Sequence, residues 1–197
     1  MQKERINQLF NTDGAALAVC VGSWFAYTSC NDHALGSYYK GHFFINFDEL
    51  ESSEELEDLL LSIGWRGQEL EELFIQDYES KILSFSNCDY INPLALARVY
   101  CEVRDQIKDE SAKVAALLEA GIINLNSAED LQELADSLDN YYFYEGITGP
   151  EYMEQITEEC GNIPEHLKYY IDYAAMWRDE TLSGYADEIA GGVLVYC

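Results

Sequence analysis

Residues 47–58 read FDELESSEELED, seven carboxylates in twelve positions with no Lys or Arg among them. LLLSIGW follows directly, so the charge belongs on the outer face of a helix. Leu56, Leu59, Leu60 and Ile63 recur at i, i+3, i+4 and i+7 and form its apolar stripe. Ser52 with Glu55 three residues on predicts a capping box, and Gly64 predicts the stop. Acids in the first turn are favourable there, because Glu54 and Glu55 each complement the helix dipole by about 0.3–1 kcal/mol. Asp58 has no such excuse. It lies four residues after Glu54, where a like-charged pair costs about 0.2–0.5 kcal/mol. The same unrelieved spacing returns at Glu129–Glu133 and Glu154–Glu158.

The crowding is part of a chain-long pattern. Against 37 Asp and Glu stand 11 Lys and Arg, a formal charge of -26. Residues 48–79 hold twelve acids and one base, Arg66, and residues 127–188 hold sixteen acids and two bases, Lys168 and Arg178. Between them, residues 89–113 carry five acids and four bases and are nearly neutral. Such a balance disfavours direct binding to nucleic acid or to an anionic membrane, both of which need a cationic surface. It also exceeds what solubility requires, a net charge of about 2–8 for a small domain. Duplex DNA carries one charge per about 1.7 Å of axis, so this load matches about 44 Å of duplex, roughly 13 base pairs.

Nearly half the residues are apolar, at 48%, which argues for folded domains in spite of the charge. AALAVCVGSWFAY (15–27) predicts a buried strand, SYYKGHFFINF (37–47) a second and ELFIQDYES (72–80) a third. Asn92 as cap and Pro93 at the first position open a helix that continues to Lys108, and 109–121 predicts another ending at Gly121. SAEDLQELADSLDN (127–140) predicts a helix capped by Ser127 and Asp130. Its Leu131, Leu134, Ala135 and Leu138 turn inward, and Glu129, Glu133 and Asp136 outward. YYFYEG (141–146) predicts a strand and 149–161 a short helix. Asp172 is placed to cap YAAMWRD, and the end predicts a hairpin turning at Gly191–Gly192. The expected fold class is therefore α+β. Its domains are an N-terminal α+β domain over 1–80, a helical middle domain over 81–126 and a C-terminal α+β domain over 127–197.

Catalytic signals are absent from the pattern. There is no glycine-rich phosphate loop, GxSxG or HExxH, and His33, His42 and His166 are scattered without a nucleophile partner. With so many carboxylates, no glycosidase-like pair can be nominated, and an acidic hydrolase would need a cleft with one carboxyl of raised pKa. The expectation is a protein that is not an enzyme and needs no cofactor. Cys20, Cys30, His33 and His42 match no usual zinc spacing, so no metal is expected. The six cysteines form no CxxC pair and predict free buried thiols. MQKERINQLF lacks the apolar core of an export signal, and 15–27 is too short to span a bilayer, which predicts a cytoplasmic protein with no membrane contact.

IPEHLKYYIDYAAMWRDE (163–180), with its Tyr-Ile-Asp-Tyr core followed by Ala and Arg-Asp, resembles the signature of the ArdA-type antirestriction proteins of mobile genetic elements. FIQDYES (74–80), YYFYEG (141–146) and GGVLVYC (191–197) support the match in order and spacing. The likeness runs from about residue 15 to the end. It departs in YTSCNDHALGSYY (27–39), where Tyr38 stands at a common Trp. The resemblance implies an elongated, three-domain protein that mimics bent B-form DNA and dimerises through its C-terminal domain. By that implication it occupies the DNA-binding groove of type I restriction-modification enzymes and protects incoming plasmid or transposon DNA. Tyr169, Tyr170, Ile171, Tyr173 and Trp177 would then combine core packing with dimer contacts, Asp172 would cap, and Arg178–Asp179 would form a local ion pair.

The acids expected to face the partner are Glu51, Glu54, Glu55 and Asp58 in the first block. In the second they are Glu129, Glu133, Asp136, Glu154, Glu158 and Glu159. The alternative expectation is an acidic adaptor for another basic nucleic-acid-binding protein, which would bind alongside DNA rather than in its place.

Overall fold

The computed structural model describes residues 1–25, 44–161 and 163–197. Contacts gather these into two units, one of Met1–Ser111 with Ile123–Ala135, the other of Ala112–Ile122 with Asp136–Cys197. Each unit mixes helices with one three-stranded antiparallel sheet, as the α+β expectation requires.

In the first unit the sheet order is β2-β1-β3, with β1 at Leu17–Ser23, β2 at Phe44–Asn46 and β3 at Leu73–Ser80. Central β1 is buried along its whole length, which explains its unbroken apolar reading. Its Gly22 is required by packing, since a Cβ there would lie 2.5 Å from the Phe74 ring. The expected strand over 37–47 is observed at 44–46, and its earlier part lies outside the described residues, as do Cys30, His33 and His42.

The helix after the acidic run spans Ser53–Ser62 and buries Leu56, Leu59 and Leu60, with Ile63 half-buried. The Glu55 amide donates to the Ser52 hydroxyl at 3.3 Å, one half of the expected box. The other half differs: the Glu55 carboxylate accepts from the Glu51 amide at 2.9 Å and from the Arg5 guanidinium. Gly64, at φ +111°, turns the chain so that Trp65 enters the core fully buried. The Lys3–Leu9 helix, which supplies Arg5, had no sequence signal beyond Leu9, its only buried residue. The Pro93–Asp109 helix starts as expected, with the Asn92 carbonyl oxygen accepting from the amides of Leu94 and Ala95.

In the second unit the sheet order is β4-β6-β5, with β4 at Tyr141–Glu145, β5 at Ala186–Ile189 and β6 at Gly192–Tyr196. Tyr152, Met153, Ala186 and Val193 form its core, packed by Tyr144, Ile147, Ile156, Tyr173, Met176, Trp177 and Val195. The helices Gly149–Cys160 and Tyr173–Ser183 pack together. The hairpin turns one residue earlier than expected, at Ala190–Gly191. Ile189 pairs with Gly192, and Gly191 takes φ +86°. Gly192 is held inside the strand by a different need: a Cβ there would meet the Tyr144 carbonyl oxygen at 2.2 Å.

Five cysteines are described, all free; Cys20 is buried, but Cys160 and Cys197 are exposed, which corrects the expectation of buried thiols. Cys160 ends an amphipathic helix on its outer side, and Cys197 is the last residue of the chain.

Candidate interaction surface

Asp48, the first acid of the opening run, does not face a partner. One carboxylate oxygen accepts from the Tyr100 hydroxyl at 2.6 Å and from Lys108 at 3.1 Å, and the other from the Ala16 amide at 2.6 Å. Burial pushes the Tyr100 hydroxyl far above its ordinary pKa, and the bond to Asp48 adds to the shift. Arg104 clamps the same turn, donating to the Asp48 carbonyl at 3.0 Å and to the Leu50 carbonyl. The nearly neutral middle segment therefore directs two of its bases at the turn that begins the first acidic block.

Arg5 does the same from the N-terminal helix. Its guanidinium grips Glu55 in a fork, Nε at 2.6 Å and Nη2 at 2.8 Å, and also reaches the Glu49 carbonyl at 2.6 Å. Glu51 lies 3.7 Å away. The hydrogen bond from Arg5 holds the Glu55 carboxyl below the usual glutamate range. Glu55 is thus taken up within the chain, while Glu51, Glu54 and Asp58 are exposed. Arg66, just past the Ser53–Ser62 helix, turns back onto the carbonyl of Leu61 in its last turn and onto that of Trp65.

The second block is arranged differently. Several of its acids cap backbone: Asp130 accepts from the Ser127 amide at 3.0 Å, Glu151 from the Thr148 amide at 2.8 Å and Asp172 from the Ala175 amide at 2.9 Å. Glu188 reaches the Gly149 amide at 2.9 Å. The Thr148 amide and hydroxyl hold the Glu151 carboxyl below its usual range. Asp187 accepts from the Tyr196 hydroxyl at 2.8 Å; burial first, then Asp187, pushes that hydroxyl up to about 12. Glu158 pairs with Lys168 at 2.6 Å, and Glu159 accepts from Gln155 at 3.0 Å.

Glu129, Glu133 and Asp136 share the exposed face of the Ala128–Ser137 helix, and Glu154 is exposed on the Gly149–Cys160 helix. Among the described residues, no base lies within 4.0 Å of Glu54, Asp58, Glu129, Glu133 or Glu154.

The five signature residues divide. Tyr169 and Tyr170 are 89% and 84% exposed. Tyr173 and Trp177 pack onto the core; the Trp177 ring meets Tyr152 edge-on at 6.2 Å and lies where a Cβ on Gly149 would be, 2.1 Å away. Ile171 is half-buried. Asp172 caps as expected, but Arg178 makes no ion pair with Asp179 within 4.0 Å. Adjacent charges on a helix point in different directions, so that pair does not meet. Leu182 and Tyr185, unnoticed in the sequence, are also exposed, at 80% and 61%. Their only signal was an apolar pair outside any periodic stripe.

Among the described residues no three His, Cys, Asp or Glu side chains are placed to hold a metal ion, and no helix is long and apolar enough to cross a membrane. The molecule is an acidic α+β protein in which six of the ten described Lys and Arg residues bond within the chain and the outward helix faces carry carboxylates. Residues 33–195 match the antirestriction protein family ArdA, and the chain belongs to that family. Membership carries an antirestriction role exerted on restriction enzymes, by inhibition rather than by catalysis. No curated protein matches the chain.

Proposed function

We propose that this protein inhibits as a mimic of DNA. Its outward carboxylates occupy the DNA-binding groove of a type I restriction-modification enzyme and so protect incoming mobile-element DNA. The observation that carries the reading is the direction of the bases. Arg5, Arg66, Arg104, Lys108, Lys113 and Lys168 all bond to carbonyl or carboxylate oxygens of their own chain. Six of the ten described bases are thus taken up within the chain, and the outward Glu54, Asp58, Glu129, Glu133 and Glu154 keep no base within 4.0 Å. A groove built to exchange counterions at phosphates accepts carboxylates through the same charge-assisted hydrogen bonds.

The acid is laid out along the chain as two segments, 1–80 and 127–197, around a near-neutral 81–126, which we take as the domains of the mimic. Exposed Tyr169 and Tyr170 suit burial against a second copy, giving a homodimer with a longer acidic surface. The site of action is the cytoplasm, where restriction enzymes meet incoming DNA.

Reversal of Glu54, Asp58, Glu129, Glu133 and Glu154 to Lys tests the reading. These side chains are exposed, so the variant is expected to fold and to lose inhibition of a purified type I enzyme. A folded variant that still inhibits sinks the proposal.

A further inference from the structure

The Lys3–Leu9 helix buries only Leu9 and has no side-chain cap, yet its polar face is bonded closely to the acidic turn before the Ser53–Ser62 helix. Arg5 reaches three carboxylates there, Glu55 at 2.6 Å, Glu51 at 3.7 Å and Glu49 at 3.9 Å. The forked contact to Glu55, whose side chain is 16% exposed, meets the charge of Arg5 within the chain. The side chains of Glu49 and Glu51 remain 40% and 84% exposed.

The network continues past the fork. Gln8 lies three residues on, on the same side of the helix. Its carbonyl oxygen accepts from Arg5 Nη1 at 2.8 Å, and its NH₂ group donates to Glu49 Oε2. Arg5 Nη2 also donates to the Glu49 carbonyl at 2.6 Å, and the Glu55 carboxylate accepts from the Glu51 amide at 2.9 Å. From the Pro93–Asp109 helix, Arg104 donates to the carbonyls of Asp48 and Leu50. Three successive carbonyls, those of Asp48, Glu49 and Leu50, are therefore held by guanidinium groups. A free glutamate gives up rotamers when a partner fixes it, and that loss weakens binding. Glu49 has given them up in the unbound protein. Asp58 and Glu133, bonded to nothing among the described residues, have not.

We propose that Arg5 and Gln8 are positioning residues for inhibition, holding the Glu49 and Glu51 carboxylates in one arrangement for the cationic groove of the restriction enzyme. This role rests on the DNA-mimic reading above and adds Glu49 to the acids that meet the partner. It also gives a share in binding to two residues that carry no negative charge.

The test titrates wild type, Gln8→Ala, Arg5→Lys, Glu49→Ala and the double variant Gln8→Ala with Glu49→Ala against a purified type I enzyme holding a fluorescent duplex. Gln8 is exposed and its replacement leaves the net charge unchanged, so bulk electrostatics predicts competition equal to wild type. Positioning makes Gln8→Ala weaker by roughly 2- to 10-fold, the range for one side chain that must be immobilised on binding. Arg5→Lys keeps the charge and loses the planar fork, and is expected to weaken binding at least as much. With Glu49→Ala already in place, Gln8→Ala is expected to have no further effect, because the carboxylate it orients is gone. A Gln8→Ala loss of the same size in both backgrounds marks a merely structural role and overturns the proposal. Competition by Gln8→Ala equal to wild type overturns it as well and leaves the mimic standing. Failure of wild type to displace the duplex overturns both.

Discussion

The acid of residues 48–79 and the acid of residues 127–188 look alike as sequence and are handled by different means. In the first block, bases arrive from distant parts of the chain: Arg5 takes Glu55, and Lys108 with the Tyr100 hydroxyl takes Asp48. These partners lie 50 to 60 residues apart in sequence, so the contacts fasten the N-terminal helix and the Pro93–Asp109 helix to the acidic turn. In the second block, backbone amides take over from bases. Asp130, Glu151, Asp172 and Glu188 satisfy the starts of helices, where the positive end of the dipole favours them. Acid can thus serve as an anchor in one region and as a cap in another, and only the remainder is available to a partner. A count of carboxylates therefore overstates the working surface.

The comparison is broken most forcefully at Asp48. Asp48→Ala leaves the buried Tyr100 hydroxyl, the Ala16 amide and Lys108 without their acceptor, and is expected to destabilise the fold by about 2–4 kcal/mol in urea unfolding. A smaller effect distinguishes the blocks by sign. Glu55→Gln removes the charge that Arg5 grips in a fork and is expected to cost about 1–2 kcal/mol. Glu133→Gln relieves the repulsion with Glu129 and is expected to add a few tenths, about 0.2–0.5 kcal/mol. The Glu55 effect carries a pH signature. Its folded pKa is depressed, so its contribution is present above the unfolded glutamate value of about 4.3 and is lost as pH falls through the lower folded value. The gap between wild type and Glu55→Gln is therefore expected to close on acidification below about pH 4, measured by unfolding at a series of pH values. Equal signs for Glu55→Gln and Glu133→Gln would mean that the two blocks are not differently built.

What the sequence disclosed was local. The fully buried β1, the Ser127–Asp130 box, the Asn92 cap and the Asp172 cap are set by neighbours a few residues apart, and their signals are correspondingly plain. The Lys3–Leu9 helix was not legible, because it has no side-chain cap and buries one residue. The roles of Arg5, Arg104 and Lys108 were not legible either, since nothing in their own surroundings names an acceptor half the unit away. For the same reason Glu55 read as partner-facing when Arg5 holds it. Trp177 and Tyr170 belong to one aromatic signature, yet one lies against Gly149 and the other in solvent. Periodicity cannot sort them, because Tyr170 lies in the turn before the Tyr173–Ser183 helix and that helix has no fully buried residue.

The central claim is that this antirestriction protein competes with DNA through carboxylates that stand in for phosphates. The most direct measurement is displacement of a labelled duplex from a purified type I restriction-modification enzyme across a salt series. Contacts equivalent to 6–10 phosphates predict that affinity falls on the order of 10³-fold or more between about 50 and 200 mM salt, with protein and duplex mutually exclusive at every point. An affinity that barely changes with salt, or a complex holding protein and duplex together, would contradict it.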